Sequence, residues 1–202
     1  MRTVVYVDGQ NFLYKVAEVL VNAGIIADKQ ELDSINIPLL LKNIFPDIEP
    51  EIRFYGVKKI RRRPDLGEEI HQKSIKFSDN LRRIRNYLNK INVKYIEYGN
   101  LKVRDSDRCK NCNTQDSRFQ EKGVDVGIAV DMVRDALLDN VDDLVLLSSD
   151  TDLIPAILVA KEANKQITYV GFEDKLTKAL IARSDRTQVL RDTEVIAAYK
   201  NR

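Results

Sequence analysis

Short apolar runs alternate with amphipathic stretches along the whole chain. Val4-Val5-Tyr6-Val7 is continuous and β-branched, which predicts a buried strand. Residues 10–22 carry Phe12, Val16, Val19 and Leu20 at helical spacing and stop before Gly24. A helix is predicted over 37–45, with Pro38 in its first turn. An alternating strand is predicted over 51–57, and a long polar helix over 66–91 with a stripe of Ile70, Phe77, Leu81, Ile84 and Leu88. Residues 93–103 read as one strand, and 104–121 as a polar insertion without periodicity. A helix over 123–138 is expected to turn Val126, Val130, Val133 and Leu137 inward. Leu144-Val145-Leu146-Leu147 is the clearest buried strand. A helix over 152–163, a strand over 166–171, a helix over 174–182, a strand over 188–190 and a helix over 193–199 complete the chain.

Repeated strand–helix alternation predicts an α/β fold: a parallel sheet covered by helices on both faces, in a single domain over 1–202. In such sheets ligands bind outside the carboxyl ends of the strands. Acids sit at those ends. The first strand runs into Asp8, the strand 144–147 runs through Ser148-Ser149 into Asp150 and Asp152, and Asp125 opens the helix that starts at 123. Convergence of these carboxylates is costly on its own, because like charges oppose each other's ionisation. A divalent cation reverses the sign. Oxygen donors suit Mg²⁺ or Mn²⁺, and two ions about 4 Å apart activate water in phosphodiester cleavage. Asn11 is placed to orient a water, a ligand carboxylate or a phosphate oxygen. Each acid also has an ordinary structural reading: Asp8 in an Asp-Gly turn, Asp152 as a helix N-cap, Asp125 favouring its helix dipole.

Composition narrows the chemistry. The 202 residues hold 33 Lys+Arg against 31 Asp+Glu, a net charge of +2, and 44% are hydrophobic. A bulk-charge nucleic-acid tail and a disordered acidic chain are both excluded. Two cysteines exclude a disulfide scaffold, and with one histidine they fall short of a zinc site within one chain. No apolar stretch approaches the roughly 18 residues of a membrane span, and the expected setting is cytoplasmic.

Three blocks carry a family resemblance: Tyr6-Val7-Asp8-Gly9-Gln10-Asn11; Lys122-Gly123-Val124-Asp125 with Ala129-Val130-Asp131; and Leu147-Ser148-Ser149-Asp150-Thr151-Asp152-Leu153-Ile154-Pro155. In order and content they resemble the signature blocks of the NYN domain family, a branch of the PIN-like nucleases that includes LabA-type proteins. The resemblance spans about residues 3–190. It implies a three-layer α/β/α PIN-like Rossmannoid fold and a metal-dependent endoribonuclease acting on RNA. It implies metal ligation by Asp8, Asp125 and Asp150, with Asn11 and Asp152 in support. Asp131 matches a recurrent acid of the second block. It lies about 240° round the helix from Asp125 and about 9 Å along it, so it is expected as an outer support or a ligand to a second metal. Ser149 stands where glycine is common, and Ser148 and Ser149 join the expected substrate contacts. Some members are regulatory, so an RNA-binding module with little turnover is the alternative. A phosphatase using the same acids lacks the Gly-rich loop of nucleoside triphosphate sites.

The run Lys58-Lys59-Ile60-Arg61-Arg62-Arg63 leaves the strand 51–57 at the proposed active edge, where phosphate contact is favoured over a solvated loop. Lys122 reads either as a phosphate contact or as an ordinary helix-entry lysine. Cys109-Lys110-Asn111-Cys112 is half a zinc knuckle needing a second chain, or simply two thiols in a loop. The expected partner is RNA, single-stranded or structured. A homodimer is left open.

Overall fold

The computed structural model describes residues 2–32, 34–58, 67–105, 117–138 and 141–202. Lys59, Arg61, Arg62, Arg63, Cys109 and Cys112 lie outside the described residues. The strands are β1 (Thr3–Asp8), β2 (Glu51–Gly56), β3 (Lys94–Glu97), β4 (Asn100–Asp105), β5 (Ser117–Lys122), β6 (Asp143–Leu147), β7 (Gln166–Phe172) and β8 (Arg186–Leu190). The helices are α1 (Gly9–Asn22), α2 (Ile37–Lys42), α3 (Glu68–Lys90), α4 (Val124–Leu137), α5 (Ile154–Glu162), α6 (Lys178–Ile181) and α7 (Asp192–Lys200).

Six strands form one parallel sheet in the order β3-β2-β1-β6-β7-β8. The alternation along β1 divides the core. Val5 and Val7 face α1, α2, α3 and α7, whereas Val4 and Tyr6 face α4, α5 and α6. This is the three-layer α/β/α architecture expected from the sequence. The chain reverses its direction of travel across the sheet between β1 and β6, and that switch opens a crevice at the strand ends. Val7 pairs with Leu147, so Asp8 and Ser148 leave the sheet side by side.

The region 93–103 is two strands, not one. Gly99 takes φ +72°, a left-handed turn that redirects the chain from β3 into β4. The end of the presumed structureless insertion is also a strand: β5 pairs antiparallel with β4, Val103 opposite Phe119 and Asn100 opposite Lys122. Of the helix expected over 174–182, only Lys178–Ile181 forms.

The clearest departure is the orientation of α4. Val126, Val130 and Leu137 are exposed, at 60%, 51% and 63%. The buried face holds Ile128, Met132 and Ala136 together with two acids, Asp131 and Asp135. Polar partners across the helix–sheet interface make that possible. Tyr6 donates to Asp135 at 2.7 Å, and the Arg53 guanidinium pairs with the same carboxylate. Tyr55 donates to Asp131 at 3.0 Å, Tyr98 at 3.4 Å, and Arg134 bridges it at 2.9 Å. The three tyrosine rings stack in sequence with 6.2 Å between neighbouring centroids. Burial and the adjacent carboxylates raise the phenol pKa values of Tyr6 and Tyr55, so both stay protonated donors. Val130→Ser should therefore change stability by no more than about 0.5 kcal/mol. Met132→Ala, at a fully buried position, should cost about 2–5 kcal/mol. Urea unfolding of the two variants checks the order.

Candidate active site

Asp8 ends β1 and caps α1. Its side chain accepts from the backbone N–H of Asn11 at 3.2 Å and from the Ser148 hydroxyl at 3.0 Å, so both oxygens are fixed. Gly9 is required next. A Cβ there would lie 2.4 Å from the Tyr55 carbonyl and 2.3 Å from the Phe54 ring. Asn11 Nδ2 donates to Ser149 Oγ at 2.7 Å, tying the first helix turn to the loop after β6.

That loop is organised by its own polar groups. Ser148 Oγ accepts from the Asp150 N–H at 3.1 Å, and Asp150 accepts from the Asp152 N–H at 2.9 Å. Asp150, not Asp152, is thus the cap of the short 3₁₀ turn Thr151–Leu153 that leads into α5. Asp152 is left exposed at the mouth of the site. Asp125 comes from the first turn of α4, entered through Gly123 at φ +88°.

One carboxylate oxygen from each of Asp125, Asp150 and Asp152 lies within 4.8 Å of the others, a spacing that a single cation can bridge. Asp8 lines an open cleft of about 640 Å³ with two of these acids, Asp125 and Asp150, and with Asn11, Lys15, Glu121 and Lys122. Burial raises the pKa of Asp8, and the charges of Asp150 and Asp125 raise it further. Mutual repulsion of this kind, among oxygen-only donors, fits a hard divalent cation.

Glu121 is a carboxylate of this cleft that the sequence reading missed. It sits near the end of β5 and lines the cleft with Asp8 and Asp125. Burial, then the charges of Asp8 and Asp125, push it up to about 7. Only Phe119 interrupts the polar run of 117–122, so neither strand nor site was signalled.

Asp131 is not brought to the cleft. It is 3% exposed and engaged by Tyr55, Tyr98 and Arg134 beneath α4, as its angular distance from Asp125 requires. Of the two roles expected for Asp131, an outer support or a ligand to a second metal, its position suits the support: it anchors the helix. Ser148 is buried and bonded to Asp8, so it orients the acid and does not face solvent. Lys122 is exposed on the cleft rim, and Lys58 is exposed just past β2.

A pH test follows from Glu121. Its folded pKa lies above the ordinary 4.5, so between pH 4.5 and about 7 the folded state binds the extra proton. Stability contributed this way is present at low pH and declines as pH rises through that window. Thermal melts in EDTA should show the decline. Glu121→Gln should flatten it.

Three comparisons bear on identity. The model of the NYN domain matches residues 2–191. A curated relative, the 6-hydroxy-3-succinoylpyridine 3-monooxygenase HspA of Pseudomonas putida, is 23% identical over 182 residues, covering 78% of this chain and 54% of that protein. The chain thus spans about half the length of the curated relative it matches. A crystal structure of a protein of unknown function from Vibrio parahaemolyticus superposes with a TM-score of 0.56 at 16% identity, covering 94% of this chain and 92% of that one. It supports the fold alone. The acids of all three sequence blocks fall on one layered α/β scaffold, and the family match runs through every block. The chain belongs to the NYN domain family, whose members are PIN-like and nuclease-like.

Proposed function

We propose that the protein is a Mg²⁺- or Mn²⁺-dependent endoribonuclease. The observation that carries this reading is the meeting of Asp125, Asp150 and Asp152 beside Asp8 at the β1–β6 switch of an NYN-family chain. Asp8, Asp125 and Asp150 would hold the cation, with Asp152 at the open side. Such an ion, when bound, would supply a water of lowered pKa and positive charge for the phosphodiester. The remaining work belongs to the protein. Ser148 and the Asn11 N–H hold Asp8 in one orientation. Asn11, itself held by Ser149, presents a carboxamide to the cleft. Lys15 and Lys122 line the same cleft and can meet the phosphates flanking the scissile one. The basic run from Lys58 through Arg63 is proposed as a further contact to the RNA backbone.

The test is cleavage of single-stranded and hairpin RNA by the purified chain. Product should form with Mg²⁺ or Mn²⁺ and stop with EDTA. Cleavage that persists in EDTA would sink the metal assignment. RNA bound but left intact with both ions would favour the regulatory binding module instead. Oxygen uptake with a hydroxypyridine substrate would point to the chemistry named for the Pseudomonas relative.

A further inference from the structure

A second cleft, of about 290 Å³, opens beside the acidic one. Its apolar walls include Leu13 of α1, Phe54 of β2, Phe77 and Leu81 of α3, and Tyr95 of β3. The two clefts adjoin, because Gln10, Tyr14 and Glu121 line both. Tyr14 is 54% exposed and stands on the boundary. Phe77 is 38% exposed and is backed by Phe119 of β5, with 6.3 Å between ring centroids. Tyr95 is held in place by donation to the Val57 carbonyl at 2.9 Å. The Tyr14 and Phe77 rings, both partly open to water beside a cleft suited to phosphate chemistry, offer stacking surface to a flat apolar occupant attached to that phosphate.

We propose that this cleft receives one unstacked nucleobase of a single-stranded RNA whose phosphate lies among the carboxylates next door. The proposal rests on the ribonuclease reading of the acidic cleft. A base fits the chemistry in two ways. Its faces are apolar and stack on aromatic rings, and its edge carries donors and acceptors that Gln10, Asn80 and Glu121 can meet at the cleft wall. Lys29, whose ammonium lies 3.7 Å from the Tyr14 ring centroid, brings a positive charge to the mouth for the backbone. A paired base cannot enter without leaving its helix, so the cleft selects unpaired segments.

The experiment measures RNA binding by fluorescence anisotropy with the full chain. Each probe is tested in EDTA and again with Mn²⁺. The probes are a short single strand, the same sequence as a blunt duplex, and single strands carrying one abasic position each. The single strand should bind at least about 10-fold tighter than the duplex, and one abasic position should weaken it about 5- to 100-fold. Tyr14→Ala and Phe77→Ala should cause a similar loss, leave duplex binding unmoved and erase the abasic sensitivity. Tyr14→Phe should bind like the wild type, which separates stacking from damage to the fold. Equal binding of duplex and single strand, or no sensitive abasic position, overturns the proposal. So does a Tyr14→Ala chain that merely changes from dimer to monomer on sedimentation. The two readings fail separately. RNA held in the slot but uncut with Mn²⁺ defeats the nuclease, whereas cutting without abasic sensitivity defeats the slot.

Discussion

Asp8→Asn combined with Asp150→Asn should lower metal-dependent RNA cleavage by about 10³-fold or more while leaving the fold intact. The size follows from electrostatics. Removing two anionic donors strips the cation site, and several kcal/mol of transition-state stabilisation goes with it. The local structure has reason to survive. Asparagine at position 8 can still accept from the Asn11 N–H and donate to Ser148 Oγ, the partners that now fix the acid. Asparagine at 150 remains a good cap for the turn that Asp150 now caps. The carboxylates also repel one another, since Asp150 and Asp125 help raise the pKa of Asp8. The double variant should therefore melt no lower than the wild type in EDTA. Activity on an oligonucleotide and the melting temperature, read together, decide the matter. A variant that loses activity only because it unfolds would show a lower melt, and retained activity would remove these acids from the mechanism.

The second large effect concerns stability. Asp135→Ala should destabilise the protein by about 3–5 kcal/mol, because it leaves the Arg53 guanidinium buried without its partner under α4. Both side chains are at least nine-tenths buried. The loss also orphans the Tyr6 hydroxyl. Glu51, at 2.7 Å, keeps one contact to Arg53 and limits the damage. For a chain of this size the melting temperature should fall by roughly 6–20 °C. Replacing the pair together, Arg53→Met with Asp135→Leu, should cost much less than the single change, since no charge is then stranded. Equal losses in the single and double variants would show that the ion pair is not the source.

Much of the fold and the main acids were legible because their signals are local. Val4–Val7 and Leu144–Leu147 are uninterrupted apolar runs, and such runs are buried on both faces of a parallel sheet. The acids that follow them inherit their position from the strands. The rest depended on contacts between distant residues. β5 owes its existence to pairing with β4, and its own sequence carries little apolar pattern, so Glu121 stayed hidden. The capping role of Asp150 depends on Ser148 and on the geometry of the turn, which spacing to the next apolar residue does not reveal. On α4 the periodicity had the correct period and the wrong phase. Valines mark the outer face because the inner face satisfies its acids with Tyr6, Arg53, Tyr55 and Tyr98.

The inverted helix has a consequence for how sequences of this kind drift. Along α4, polarity and tolerance to replacement run opposite to the usual order. Val126, Val130 and Leu137 face water and can change among many residue types, whereas Asp131 and Asp135 cannot change unless their tyrosine and arginine partners change in concert. Related chains should thus keep these acids as covarying sets with β1 and β2, while the apolar residues that dominate the helix to the eye wander freely.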